Sequence, residues 1–233
     1  MVELVSGLRA ERVRGNLERV QEEIAAALAR AEDHGSRAGP VPRGIRRVEV
    51  LAATKYVSAE DLPILAEAGI RLVGENRAQD LGAKVALHGD LFEWDFIGRL
   101  QSRRVRLIVP HVRLIHSVDS DSALRELARH RELARPGLRI LVEVNVAGET
   151  GKAGVPPADL DAFIARCPLP VAGLMTMPPL SADPDESRPW FAALRELAAD
   201  RGLEHLSMGT SQDYVVAVEE GATIVRIGTK LYD

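Results

Sequence analysis

From Val48 onward, short stretches without helical spacing alternate with stretches in which apolar residues recur every three or four positions. The runs at 48–53, 71–73, 93–97, 112–115, 138–144, 171–174, 204–206 and 222–225 are too short for helices. The first, 48–53, is branched-rich and reads as a buried strand, and the others read as strands by the same rhythm. Between them the helical period predicts helices over 59–68, 78–87, 102–109 and 119–131. Further helices are expected through Leu160 and Phe163, over 190–200, and over 211–220. Gly69, Pro110, Gly202 and Gly221 stand where these segments should stop. In front lies the longest helical pattern, residues 4 to about 33, with Val13, Leu17, Val20, Ile24 and Leu28 on one face. The stretch 34–44 has two prolines, three glycines and no apolar period, and reads as a connection.

Strand and helix alternating eight times argue for βα units and a parallel sheet. The expected architecture is a single (β/α)8 TIM barrel over 47–233, preceded by an extra N-terminal helix and its connection over 1–46. An open doubly wound sheet would announce itself with a glycine-rich first turn, and none follows the first strand.

Composition narrows the chemistry. The 233 residues are 46% hydrophobic, enough for a full core, and the net charge of −4 argues against a nucleic-acid footprint. The single cysteine, Cys167, reads as structural, and no metal-ligand spacing appears. Without a membrane-length apolar run or a signal-peptide core, the expectation is a cytoplasmic monomer with no membrane contact. The arginines at 99, 103, 104 and 106 could receive an anionic partner, but a solvated helix face is the simpler reading. Trp94 and Phe96 read as core, Trp190 and Phe191 as packing residues, and 177–189 as an exposed, mobile loop.

Barrel sites are built where strands end. Strand one ends in Thr54-Lys55-Tyr56, so Lys55 is expected at the mouth. Phosphate is commonly gripped by the loops after strands seven and eight. Here those loops are Ser207-Met-Gly209-Thr-Ser211 and Arg226-Ile-Gly228-Thr229. Their glycines let backbone N–H groups approach an anion, their hydroxyls can donate, and Ser211 is expected to cap the following helix. A phosphorylated aldehyde could span loops and lysine and condense with Lys55 as a Schiff base. Pyridoxal phosphate and phosphosugar aldehydes both fit. Arg226 could reach a pyridine nitrogen, which would then have to stay unprotonated, or it could pair with Glu143 or Glu75.

Several stretches resemble, in order, the YggS/PROSC family of pyridoxal phosphate homeostasis proteins. They are Ala-Thr-Lys55-Tyr, Gly74-Glu-Asn-Arg-Ala-Gln79, Phe96-Ile-Gly-Arg-Leu-Gln101, Val144-Asn145 with Gly154, and Gly173-Leu-Met-Thr176. The last two are Ser207-Met-Gly-Thr-Ser211 and Val225-Arg-Ile-Gly-Thr229. The resemblance implies an alanine-racemase-type barrel without the racemase's second domain, binding pyridoxal 5'-phosphate (PLP) as an internal aldimine on Lys55. It implies Arg226 at the pyridine nitrogen, Asn76 beside the ring, and Ser207, Gly209, Ser211, Gly228 and Thr229 around the phosphate. The family usually has His where Asp95 stands, Asn-Lys at Arg103-Arg104, Met at Thr210 and Asp at Gln212, with a longer tail after Asp233. These departures are expected to touch surface partners and loop detail more than cofactor binding.

Racemisation would need an acid/base on each face of the substrate carbon. Tyr56 should point away from Lys55, His205 should be packed, and His116 has no partner in its local sequence. No complete pair is seen, and no catalytic residue is assigned. The expected function is a non-catalytic protein of PLP homeostasis that binds, buffers or delivers the cofactor, with PLP-dependent apo-enzymes as partners. The alternatives are a narrow amino-acid racemase and a Schiff-base aldolase on phosphosugars.

Overall fold

The computed structural model describes residues 4–33 and 48–233. The connection expected over 34–44 falls outside these residues, as do residues 1–3. Eight parallel strands close into one barrel in sequence order, with β1 pairing β8. They are β1 (Glu49–Ala53), β2 (Leu72–Glu75), β3 (Glu93–Phe96), β4 (Leu114–Val118), β5 (Arg139–Glu143), β6 (Val171–Met175), β7 (His205–Thr210) and β8 (Ile224–Ile227). Each strand feeds a helix: α2 (Leu62–Glu67), α3 (Ala78–His88), α4 (Val105–Ile108), α5 (Asp121–Arg129), α6 (Leu160–Ile164), α7 (Arg188–Ala199), α8 (Tyr214–Glu219) and α9 (Thr229–Tyr232). The expected (β/α)8 barrel is present.

The leading helix α1 (Ala10–Asp33) starts later than its apolar pattern suggested. Gly7 turns the chain at φ +71, and the Val5 amide donates to the Tyr56 carbonyl at 2.8 Å instead of entering a helix. Because α9 is only four residues long, α1 completes the outer layer there, packing on α8, α9 and α2. Asn16 ties it down by donating to the carbonyls of Leu231 (3.0 Å) and Asp233 (2.9 Å).

Two apolar layers follow from strand alternation. Outward-facing residues such as Trp94, Ile115 and Val225 join the helices in the main core. Inward-facing Leu51, Leu114, Leu141, Met175 and Ile224 plug the barrel. Polar side chains flank this plug on both sides, Glu49 and Arg113 toward the strand N-termini and His116 and Arg226 toward the C-termini.

Two strands run further than their apolar stretches. β4 takes in His116 and Ser117, and β7 takes in Ser207 through Thr210. Polar residues here continue the ladder because the barrel interior supplies their partners. The register of β7 against β8 slips between Ser207 and Thr210, where Gly209 sits at φ +89. Such bulges redirect the chain beside sites.

Candidate functional site

β1 alternates inward at Glu49, Leu51 and Ala53, and this phase carries Lys55 toward the mouth. The segment before it is locked. Thr54 is fully buried, and its hydroxyl donates to Glu75 Oε1 at 2.7 Å. Lys84 donates to the Thr54 carbonyl at 2.8 Å and ion-pairs with Glu75. Tyr232 donates to the Ala53 carbonyl at 3.2 Å. Lys55 itself is exposed and makes no hydrogen bond or ion pair among the described residues. Its Nζ lies over the Tyr56 ring, 4.5 Å from the centroid. Tyr56 was expected to point away. It does not, because the strand has ended and residues 54–57 form a turn, with Val57 N donating to Thr54 O at 2.9 Å.

Arg226 lies on β8 opposite Leu51, deeper in the barrel than Lys55. It is 7% exposed, and its donors go to Ser207 O (2.9 Å), Ser207 Oγ, Thr176 O (3.1 Å) and Met177 Sδ (2.9 Å). None of these is a carboxylate. The expected competitor Glu75 is outside the barrel wall with Lys84, and Glu143 acts on Arg226 only through space. Burial pulls the Arg226 pKa down to about 10, so the group stays cationic at neutral pH.

The two glycine-hydroxyl loops do meet: Gly228 N donates to Ser211 Oγ at 3.1 Å. Ser211, however, does not cap the helix. α8 begins after Asp213, whose Oδ1 accepts from Thr210 N (2.8 Å) and Thr210 Oγ1 (3.0 Å). Ser207 is inside β7 with its hydroxyl engaged by His116 and Arg226, so it supports the site from below rather than lining the loop. Gly209 is packed so tightly that a Cβ would lie 2.6 Å from Ala217 Cβ and 2.9 Å from Tyr214 Cα. Thr229 is exposed at the start of α9. Between Gly209, Thr210, Arg226 and the loop of Met177, Pro178 and Leu180 is a recess of about 110 Å³.

Asn76, in phase with inward-facing Leu72 and Gly74, has a buried Oδ1 with no partner among the described residues. Asn145 does something different from binding. It clamps its own loop, donating to Glu149 O at 2.9 Å and accepting from Glu149 N at 3.1 Å. Cys167 is half-buried, its thiol pushed up to about 11 by burial, which leaves it unreactive.

Three features of the interior escaped the sequence reading. His116 does have orienting partners, Asp95 and Ser207, on other strands. Asp95 is fully buried in the barrel, so this departure from the family pattern is internal rather than on the surface. Glu143, 8% exposed at the end of β5, has its pKa raised to about 7, by burial first and by Asp119 second. His205 begins β7 at the opposite end from the mouth, away from this chemistry.

A free amine, a carboxylate-free guanidinium and two bridged glycine-hydroxyl loops form a donor set, with one amide oxygen as an acceptor beside it, suited to a planar, phosphorylated aldehyde with an acceptor nitrogen. The residues present therefore fit PLP.

Comparisons with known proteins agree. The profile "Alanine racemase, N-terminal domain" matches residues 50–233. The chain is 40% identical to a pyridoxal phosphate homeostasis protein of Aquifex aeolicus, over 91% of this chain and 96% of that one. It is 39% identical to the protein of that name from Pseudomonas aeruginosa, over 91% and 94% of the two chains. Among solved structures it resembles PipY of Synechococcus elongatus with PLP bound, at TM-score 0.70 and 33% identity, covering 90% of this chain and all of that one. Alanine racemase from Corynebacterium glutamicum shares the fold alone, at TM-score 0.63 and 14% identity, with this chain spanning 63% of its length.

Proposed function

The chain belongs to the pyridoxal phosphate homeostasis protein family, and from that premise we propose that it binds PLP at the barrel mouth and stores, buffers or delivers it. The observation that carries this reading is the pairing of two cations left without carboxylates: Lys55 at the end of β1 and Arg226 deeper on the adjacent β8. PLP, when bound, supplies an aldehyde that a primary amine captures covalently and a ring that draws electrons.

Lys55 is the amine. Its hydrogen-bond donors are free because the segment before it is held by others, its backbone by Lys84 and Tyr232 and the Thr54 hydroxyl by Glu75. Arg226 offers only donors, so it meets a ring nitrogen that accepts and stays unprotonated. That makes the ring a weaker electron sink and argues against transaminase chemistry. Asn76 lies beside the ring. Gly209, Ser211, Gly228 and Thr229 receive the phosphate, with Ser207 acting through Arg226. Delivery to PLP-dependent apo-enzymes needs the site to open to solvent, as the exposure of Lys55 permits.

Visible absorption of the purified protein titrated with PLP, for wild type and Lys55→Ala, tests the reading. A new band in wild type, absent in the variant and trapped by borohydride on the peptide holding Lys55, is expected. No band in wild type, or a label on another lysine, overturns it.

One observation favours a catalytic reading as the second choice. Glu143 holds a carboxyl that titrates near neutrality at the same end of the barrel, as an acid/base group must. Exchange of an amino acid's α-proton with deuterated water, lost in Glu143→Gln, would establish it. His116 is not such a group, since both ring nitrogens are already bonded and the side chain is fully buried.

A further inference from the structure

A continuous row of charged and polar side chains crosses the barrel interior beneath the mouth. Arg113, just before β4, grips both oxygens of Glu49 (Nη1–Oε1 2.9 Å, Nη2–Oε2 2.7 Å). It also holds both oxygens of Asp95 (Nε–Oδ1 2.9 Å, Nη2–Oδ2 3.1 Å). Asp95 Oδ2 lies 3.1 Å from His116 Nε2, and His116 Nδ1 lies 2.8 Å from Ser207 Oγ. Ser207 Oγ then accepts from Arg226 Nη1. Asp95, His116 and Ser207 are shielded from solvent almost completely.

The protons in this row have one arrangement. A carboxylate gripped by an arginine fork offers only lone pairs. The imidazole must therefore donate to Asp95 from Nε2. Burial keeps His116 neutral, lowering its pKa despite the neighbouring Asp95, so Nδ1 carries no proton and must accept. Among the described residues the donor facing it is the Ser207 hydroxyl. With its hydrogen committed, that oxygen presents a lone pair, and Arg226 donates into it. A second Arg226 nitrogen is fixed by Thr176 O at 3.1 Å.

We infer that Asp95, His116 and Ser207 form a one-way hydrogen-bond relay in which Asp95 fixes the tautomer of His116 and so positions Arg226 from beneath as a donor facing the mouth. All three are positioning residues, since none faces the mouth itself. For the identity of the ring that Arg226 meets, the inference rests on the PLP reading. The direction of the relay does not.

Nitrogen-15 NMR of the His116 imidazole, without and with PLP, reads the direction. In wild type the Nε2–H tautomer is expected, with or without cofactor. In Asp95→Asn, Arg113 keeps the amide oxygen and the amide N–H₂ faces Nε2, so the tautomer inverts to Nδ1–H. The same logic applies when a carboxylate orients a catalytic histidine. The PLP dissociation constant should rise about tenfold or more, as metal affinity does when a group orienting a metal ligand is removed. Ser207→Ala, which cuts the row after His116, should keep the Nε2–H tautomer yet weaken PLP similarly. The phosphorus-31 resonance of its bound cofactor should not move. A moved resonance would mean that Ser207 touches the phosphate, and would overturn the relay.

A wild-type Nδ1–H tautomer, or an Asp95→Asn variant that keeps Nε2–H, overturns it as well. So does unchanged PLP affinity in Ser207→Ala. If Asp95→Asn does not fold, wild-type NMR still decides the direction and Ser207→Ala the effect on affinity. If no PLP binds to wild type, the functional reading fails, while the tautomer in the free protein still decides the relay.

Discussion

Lys84 and Glu75 form an ion pair sealed between β2 and α3, and the same ammonium holds the carbonyl of Thr54 at 2.8 Å, one residue before Lys55. The pair is the clamp under the candidate cofactor lysine. Both residues are buried, Glu75 completely.

Removing one partner of such a pair strands the other charge in the protein interior. Lys84→Met should lower stability by about 3–5 kcal/mol, because breaking a buried pair costs more than the pair contributes. Lys84→Met combined with Glu75→Gln should recover a large part of that loss. Denaturant unfolding of the two variants checks this. Equal destabilisation in single and double variants would show that the pair is not what holds the segment.

Gly209 should resist even a methyl group. Its φ of +89 and the 2.6 Å approach that a Cβ would make to Ala217 Cβ both oppose alanine. Gly202 is the control, with φ +62 and open space around its missing Cβ. Gly209→Ala should lose about 2–4 kcal/mol and Gly202→Ala about 1, or a Tm difference of several degrees in a chain of this size. Gly209→Ala should also weaken PLP, since the bulge of β7 shapes the recess. A Gly209→Ala variant as stable as Gly202→Ala would refute the packing argument.

Glu143 predicts a pH-dependent stability of definite sign. Its folded pKa, about 7, is raised above the ordinary 4.5, so the folded state binds the proton more tightly. That contribution is fully present below pH 4.5 and is lost as pH rises through about 7. The Tm of the cofactor-free protein should therefore fall over this window relative to Glu143→Gln. The divergence corresponds to roughly 3 kcal/mol. Parallel Tm curves for the two proteins would mean that Glu143 is not desolvated in solution.

Much of the fold could be read from local pattern. All eight strands are legible from short segments recurring between helices, most of them apolar because a parallel strand is covered on both faces. Strand ends were harder to place. The apolar runs stop before His116 in β4 and Ser207 in β7, yet both strands continue. A barrel interior can satisfy polar side chains that an ordinary core cannot. Ser211 as a helix cap failed for a related reason: Asp213, two residues on, bonds Thr210 and sets where α8 begins.

The order of elements, the phase that carries Lys55 toward the mouth, and the glycine-hydroxyl composition of the last two loops were determined by the sequence itself. They depend on neighbours within a few residues and on the two-residue period of a strand. The relay of Asp95, His116, Ser207 and Arg226, the clamp of Lys84 on Thr54 and the raised pKa of Glu143 were decided only by the tertiary structure. His116 and Ser207 are 91 positions apart in the chain. Nothing local marks them as partners until closure of the barrel brings β4 and β7 to face one another across an interior closed to water. Burial of a carboxyl is likewise a property of what surrounds it, and Glu143 acquires its surroundings only when the strands assemble.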